Sequence, residues 1–390
     1  MRVGLTPEQA ALRAEVRAFL EAEMTPAFYE EFEKVASAED HWSQSFSRKL
    51  AERGWLTLAW PAEYGGAGRP LSDAAIVNEQ LGAYWAPEGW HFVGSMWVAL
   101  QIFEFGTEEQ KRRLLPGIAS AEHCYGPAFT EPQAGSDLAA IRCEAVRDGD
   151  EYVLNGFKCF STSPMGTTHL WLLAITDKQG TRHDRMSMFV VPTSTPGITV
   201  VPKPSMNHGY MNDILLENAR IPAANLIGTE HKGWRVAMST FNVERSGVAQ
   251  VAALQSLLRD LIAFARGTTR DGKPLIERES VRRAFAWWAT ELEAQKVLSW
   301  KVIWQYSKGE RPSVEPSVQS LRVRMDQHPF ANFAMEILGM YGQLTPASKW
   351  TALRGRIERL YLFSSAQHSG GTTEIQKNII ATLGLGLPRG

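Results

Sequence analysis

Cysteine is scarce in this chain: Cys124, Cys143 and Cys159 are the only three in 390 residues, and none forms a C-x-x-C pair. That spacing excludes a disulfide scaffold or a thiolate metal framework and implies reduced thiols, with no metal expected. A surplus of either charge is also missing. Lys and Arg number 41 against 42 Asp and Glu, a net charge of −1. A broad basic surface for nucleic acid is therefore not expected. No long apolar run is present, so no membrane span is expected. The start "MRVGLTPEQ" lacks signal or transit character, which points to a cytoplasmic protein. Internal repeats and low-complexity segments are absent too.

What is present is ordinary for a large globular chain: 44% apolar and 21% charged residues, enough for two or three domains. Tryptophan is plentiful at 13 residues, and Trp287, Trp288, Trp300 and Trp304 fall in one helical-looking stretch as core candidates. The texture changes twice. The first part, to about residue 119, reads as helical. "LTPEQAALRAEVRAFL" offers Thr6 as N-cap, Pro7 at the first helical position and Gln9 to complete a capping box. Leu12, Val16, Phe19 and Leu20 then share one face. "GTEEQKRRLLPGI" repeats this with Thr107 and Gln110, and Pro116 is expected to stop the helix.

From about 120 to 230 the pattern is β, with short runs such as "HLWLLAITD", "SMFVVPT", "GITVVPK" and "DILLEN". Asn155-Gly156 reads as a hairpin turn, and the spacing suggests a barrel or a small sandwich. From 231 to 390 long periodic helices return, at "VERSGVAQVAALQSLLRDLIAFA" and about Glu279–Lys308, Pro316–Tyr341 and Pro346–Ala366. Long helices with short loops read as an antiparallel bundle. The expected class is α+β: an N-terminal helical domain, a middle β-barrel-like domain and a C-terminal four-helix bundle.

The most informative stretch is "FTEPQAGSDLAAI", where the helices give way to strands. Its small residues and proline permit a tight loop that presents hydroxyls and backbone N–H groups. By itself such a loop is as often structural as functional. It is followed in order by "YVLNGFKCFSTS", "DILLENARIPAANLIG", "GW…VERSG" and "GGTTEIQKNIIATLGLGLPRG". This succession, over nearly the whole chain, resembles the acyl-CoA dehydrogenase flavoprotein family.

The resemblance implies FAD between the β domain and the bundle, and α,β-dehydrogenation of an acyl-CoA thioester. A carboxylate takes the α-proton, and flavin N5 accepts the β-hydride. It places Phe129, Thr130 and Ser136 at the cofactor, with Thr130 near the flavin ring and Ser136 at the phosphates. Phe160 stands where relatives commonly have tryptophan beside the isoalloxazine, and Thr162 where a hydroxyl reaches N5. Phenylalanine keeps the aromatic surface but lacks the indole donor. Thr372 and Glu374 fall in the terminal segment that contacts FAD.

One residue is missing. Many relatives carry a glutamate directly before the Gly-Thr of the terminal motif, and here that position is Gly370 in "HSGGTTEIQ". Isovaleryl- and long-chain-type relatives instead carry the glutamate on a bundle helix before an arginine. Glu244-Arg245 in "NVERSGVA" matches that alternative. The resemblance thus assigns Glu244 as base and Arg245 to substrate binding, with the Gly370 N–H donating to the thioester carbonyl. A long, branched or polycyclic acyl chain is expected, as in fatty acid or steroid side-chain degradation.

The sequence departs from the family where one subunit normally helps hold its neighbour's FAD. Aligned on Gly272, the R-x-x-F-G motif becomes "TTRDG", with Thr268 and Asp271 at the arginine and phenylalanine positions. The Q-x-x-G-G-x-G motif becomes "EILGMYG", with Glu336 and Met340. Arg270 is a candidate for compensation. A homotetramer and a heterotetramer with a homologous chain both stay open, with electron-transfer flavoprotein as the expected acceptor. A flavin monooxygenase or oxidase on the same fold, and a subunit that supports a catalytic partner, are the competing readings.

Overall fold

The computed structural model describes residues 4–36, 43–87, 90–162, 166–206, 209–244, 247–310, 312, 314–365 and 370–388. Helices α1 (Pro7–Glu23), α2 (Pro26–Ala36), α3 (Gln44–Glu52), α4 (Leu71–Ala83), α5 (Ala99–Phe105) and α6 (Glu108–Ala119) come first. Strands β1 (Tyr125–Ala128), β2 (Glu144–Asp148), β3 (Glu151–Ser161), β4 (His169–Ile175), β5 (Met186–Pro192), β6 (Ile198–Val201), β7 (Asn212–Pro222) and β8 (Leu226–Ile227) follow. Helices α7 (Gly233–Glu244) and α8 (Val248–Gly267) lead to a ribbon of β9 (Thr269–Arg270) and β10 (Lys273–Pro274). The chain ends with α9 (Glu279–Ser307), α10 (Glu315–Leu338), α11 (Arg356–Ser365) and α12 (Thr373–Ile379). Its contacts divide into two compact units: residues 1–34, 70–86 and 245–390 in one, 35–69 and 87–244 in the other.

In the bundle unit, Thr6 caps α1 in the expected box, with Gln9 returning the bond to the cap backbone. The core joins Leu254, Leu257 and Leu261 of α8 to Trp288 of α9, Phe330 and Phe333 of α10, and Ile357 of α11. Trp288 meets Phe330 edge-on with centroids 5.1 Å apart. Trp287 is 59% exposed, against expectation. Neighbours on a helix lie about 100° apart, so with Trp288 turned into the core Trp287 is carried round toward solvent. Helix α8 is, against expectation, long and apolar enough to cross a membrane by length and composition. Its leucines are buried in the bundle instead. Helix α4 packs so closely on α8 that a Cβ on Gly82 would lie 2.1 Å from the Ala249 carbonyl oxygen.

Two helix boundaries differ from the periodic reading. Gly247, at φ 64°, separates α7 from α8, so "VERSGVAQ…" is not one helix. The last bundle helix starts at Arg356 rather than near Pro346. Leu353, Arg354 and Gly355 have φ of 50°, 59° and 69°, which a right-handed helix cannot accommodate.

In the β unit, the strands run in the order β6-β7-β3-β2-β4-β5-β8, with β1 added parallel to β4. Trp171, Leu173 and Ile175 of β4 and Met186, Met188 and Val190 of β5 pack against Ile102, Leu114, Ile118 and Val236 of the helices. The alternate residues Leu170, Leu172, Phe189 and Val191 pack with Tyr152, Leu154, Ile214 and Leu216. Both faces of β4 and β5 are therefore buried, which explains their continuous apolar runs.

Asn155-Gly156 does not form the expected turn. The β2–β3 reversal lies at Gly149-Asp150, with Asp148 opposite Glu151. Gly156 sits at a register shift inside β3, where a Cβ would come within 2.8 Å of Cys143. Close backbone approach, rather than chain reversal, is what requires glycine there. Pro116 does not stop α6 either. It lies in the last turn, where Ser120 N still bonds to its carbonyl at 3.0 Å. The cap is as expected: Thr107 and Gln110 form the box, and Gln110 Nε2 also reaches the Ala224 and Leu226 carbonyls. All three cysteines are buried thiols.

Candidate active site

The β unit brings the two central motifs together. Strand β3 ends at an irregular register between Lys158 and Ser161. Each anchored residue there grips the chain from Pro127 to Glu131. Lys158 Nζ donates to the Phe129 carbonyl at 3.0 Å and to Glu131 Oε1 at 2.8 Å. Cys159 N donates to the Thr130 carbonyl at 2.9 Å. Ser161 Oγ donates to the Pro127 carbonyl at 2.7 Å.

Phe160 alone is turned outward. It holds φ 55° and leaves 67% of its surface exposed. A bulky residue in the left-handed region costs on the order of 1–3 kcal/mol and persists only where its surroundings impose it. The anchored neighbours supply that constraint.

Glu131 is the hub of the loop. Besides Lys158 it accepts from Arg142 N at 2.6 Å, Cys143 N at 2.9 Å and Gln133 Nε2 at 2.6 Å. Burial alone would raise its carboxyl. The Lys158 charge and these hydrogen bonds outweigh burial and hold it below the ordinary carboxylate range. Lys158 and Glu131 are both buried, at 0% and 4% exposure. The sequence reading missed this pair. Its signal was a lysine two residues before Phe160, with an unassigned acid inside "FTEPQ".

The other site candidates of this unit take distinct places. Thr130 is half-buried and Ser136 exposed, beside Asp137, which pairs with Arg182. Thr162 is exposed, its Oγ1 3.3 Å from Met211 Sδ. The Phe129 side chain belongs to the helix-facing core, so only its backbone borders the loop. Glu244 is the last residue of α7, and Arg245 lies outside the described residues.

Gly370 falls in the bundle unit, with Thr372 and Glu374. Gly370 and Gly371 have φ of 66° and 94°. Thr372 Oγ1 accepts from Ile375 N and so caps α12. Glu374 is exposed and accepts from Thr373 Oγ1 at 2.8 Å. Hydrogen bonds from Thr373, its own backbone and Thr372 lower its carboxyl. Gln376 is fully buried and missing from the sequence reading; its Nε2 donates to the carbonyls of Gly370 at 2.9 Å and Gly371 at 3.4 Å.

The altered segments are joined to each other. Asp271 and Gly272, with φ of 54° and 77°, form the tight turn of the β9–β10 ribbon. Arg270 lies across the end of α10 and donates to the carbonyls of Glu336 at 3.4 Å and Ile337 at 2.9 Å. Arg278 pairs with Asp271. Met340 is 84% exposed.

Three family models match consecutive stretches. They are the acyl-CoA dehydrogenase N-terminal domain at 6–122, middle domain at 126–218 and C-terminal domain at 231–384. The chain belongs to the acyl-CoA dehydrogenase family. It is an oxidoreductase with that family's fold, in a family that depends on FAD. It is 32% identical to the acyl-CoA dehydrogenase FadE26 of Mycobacterium tuberculosis, over 100% of this chain and 99% of that protein. Among solved structures it matches the Tcur3481-Tcur3483 steroid ACAD with a TM-score of 0.91 and 30% identity, covering 100% of both chains. It matches the ChsE4-ChsE5 complex of M. tuberculosis with a TM-score of 0.90 and 32% identity, again over 100% of both.

The residues present fit FAD. An outward aromatic ring held by an anchored bulge suits a planar ring system. The hydroxyls of Thr130, Ser136 and Thr162 lie on the same unit and are available as polar partners.

Proposed function

We propose that this protein carries out the FAD-dependent α,β-dehydrogenation of an acyl-CoA with a bulky acyl group, polycyclic or branched. The observation that carries the reading is the outward Phe160, held beside the Thr130 loop by the Lys158–Glu131 pair. FAD, when bound, would supply the acceptor for the β-hydride and, with it, for both electrons. Phe160 offers its ring face to the isoalloxazine, and Thr130 and Thr162 offer hydroxyls to its polar edge. Ser136 would hold a phosphate, and Thr372 and Glu374 are the cofactor residues assigned in the terminal segment. Glu244 removes the α-proton. The Gly370 N–H donates to the thioester carbonyl, stabilising the charge that develops as the proton leaves. Arg245 orients the substrate, and electron-transfer flavoprotein reoxidises the enzyme.

We further propose a heterotetramer in which a homologous chain completes the assembly. Arg270, the candidate for compensation, spends its guanidinium on the end of α10. Two structural relatives are described as pairs of different chains. The steroid substrate named for one of them supports a polycyclic acyl group here.

The test is flavin content per chain, alone and with a co-expressed homologue, followed by anaerobic mixing with a polycyclic acyl-CoA. The expected result is flavin restored by the partner and bleached by the thioester without oxygen, with Glu244→Gln slowing bleaching on the order of 1,000-fold. That figure is an order-of-magnitude value for loss of a proton-abstracting group. One flavin per chain in a homo-oligomer would overturn the heteromer. Turnover that needs oxygen would favour the oxidase reading.

A further inference from the structure

We propose that Met211 is a positioning residue for the Thr162 hydroxyl and through it favours the reduced flavin, an inference that rests on the reading of Thr162 as the partner of N5. Ser161 stands opposite Asn212 in the last pair of the antiparallel β3–β7 ladder. Thr162 leaves β3 where Met211 leads into β7, so the two meet across the end of that ladder. Thr162 Oγ1 lies 3.3 Å from Met211 Sδ and donates to it. Both backbones are held. Ser161 Oγ donates to the Pro127 carbonyl at 2.7 Å, Met211 N donates to the Lys203 carbonyl at 2.9 Å, and Asn212 is fully buried.

A hydroxyl has one hydrogen to donate and two lone pairs, whereas a thioether can only accept. The contact therefore has one polarity: the Thr162 hydrogen points to Met211, and its lone pairs are left to accept. Oxidised flavin N5 only accepts a hydrogen bond, while reduced N5 carries a hydrogen and donates one. To serve oxidised N5, Thr162 must turn its hydrogen away from Met211, so one of the two acceptors goes without. To serve reduced N5, it accepts with a lone pair and keeps its hydrogen on Met211, so both contacts form together. Met211 thus contributes a hydrogen bond in the reduced state that competes with N5 in the oxidised one. It acts through Thr162 in this scheme and raises the tendency of the flavin to take up electrons.

The test is the midpoint potential of the flavin-loaded assembly, measured anaerobically against a dye of known potential. Met211→Leu conserves volume and removes the acceptor. The expected result is an about threefold fall in the equilibrium constant for two-electron reduction, the size of a weak net hydrogen bond, which lowers the potential by about 14 mV. In a Thr162→Val background, adding Met211→Leu should leave the potential where Thr162→Val alone puts it.

An unchanged potential in Met211→Leu would overturn the inference. So would an equal fall in the Thr162→Val background, because packing rather than the hydroxyl would then carry the effect. Thr162→Val with both the potential and the flavin absorption bands of the wild type would remove the reading of Thr162 at N5 itself.

Discussion

Replacing Lys158 by methionine removes one partner of a buried pair and leaves the shape of the stem. Lys158 Nζ lies 2.8 Å from Glu131 Oε1 and 3.0 Å from the Phe129 carbonyl. Removing one member of a buried pair typically costs about 3–5 kcal/mol, because the remaining charge is uncompensated. Glu131 keeps three donors, from Arg142 N, Cys143 N and Gln133 Nε2, so the lower end applies. For a unit of roughly 200 residues, about 3 kcal/mol lowers Tm by about 6–12 °C. The loop that Lys158 secures carries Thr130, so flavin should be lost before the unit melts. Circular dichroism melts and flavin absorbance per chain, measured on the same preparation, check both effects. Adding Glu131→Gln should recover part of the loss, since replacing both partners is less costly than orphaning one. A Tm within about 2 °C of wild type, with full flavin content, would refute the reasoning.

The remaining predictions concern Phe160 and His91. Phe160→Gly should raise stability or leave it unchanged, because glycine relieves the strain at φ 55°, yet it should weaken FAD retention; Phe160→Trp should strengthen it. Flavin dissociation rates decide, and unchanged retention in Phe160→Gly would remove the ring from the site. His91 is buried, its Nδ1 2.7 Å from Ser47 Oγ, and burial pushes its pKa down to about 4. The unfolded chain takes up that proton near pH 6.5 while the folded one does not. The stability is therefore complete above pH 6.5 and is lost as pH falls towards 4, by about 2 kcal/mol at pH 5. His91→Gln should flatten the fall in Tm between pH 7 and 5, and an unchanged slope would exclude this histidine as the cause.

Local chemistry made much of the fold legible. The boxes Thr6–Gln9 and Thr107–Gln110 need only residues three apart, and both form. The helical, β, helical succession follows from hydrophobic period alone. What stayed hidden depends on tertiary partners. The Lys158–Glu131 pair joins residues 27 positions apart, and nothing in either segment states the register that brings them together. Asn155-Gly156 and Asp148-Gly149 are both good turn signals, and packing against Cys143 decided that the first becomes a bulge. The start of α11 was obscured because Leu353 and Arg354, neither a usual left-handed residue, take positive φ. Gln376 escaped notice because its work is done by a buried amide on backbone carbonyls, which leaves no charge pattern to read.

The double burial of β4 and β5 also sets the order in which the nascent chain can be made safe. β3 pairs with β7, so its second neighbour arrives only after the segments "HLWLLAI" and "MSMFVVP" have left the ribosome. Until Asn212–Pro222 emerges, these two apolar strands stand with one face only partly covered, and β3 keeps an edge open to foreign strands. Slow synthesis through this stretch, or a stall before β7, would thus release a species with the sequence character of an aggregation seed. Yield of soluble protein in a heterologous host should therefore depend on chaperone supply and translation speed over residues 169–222.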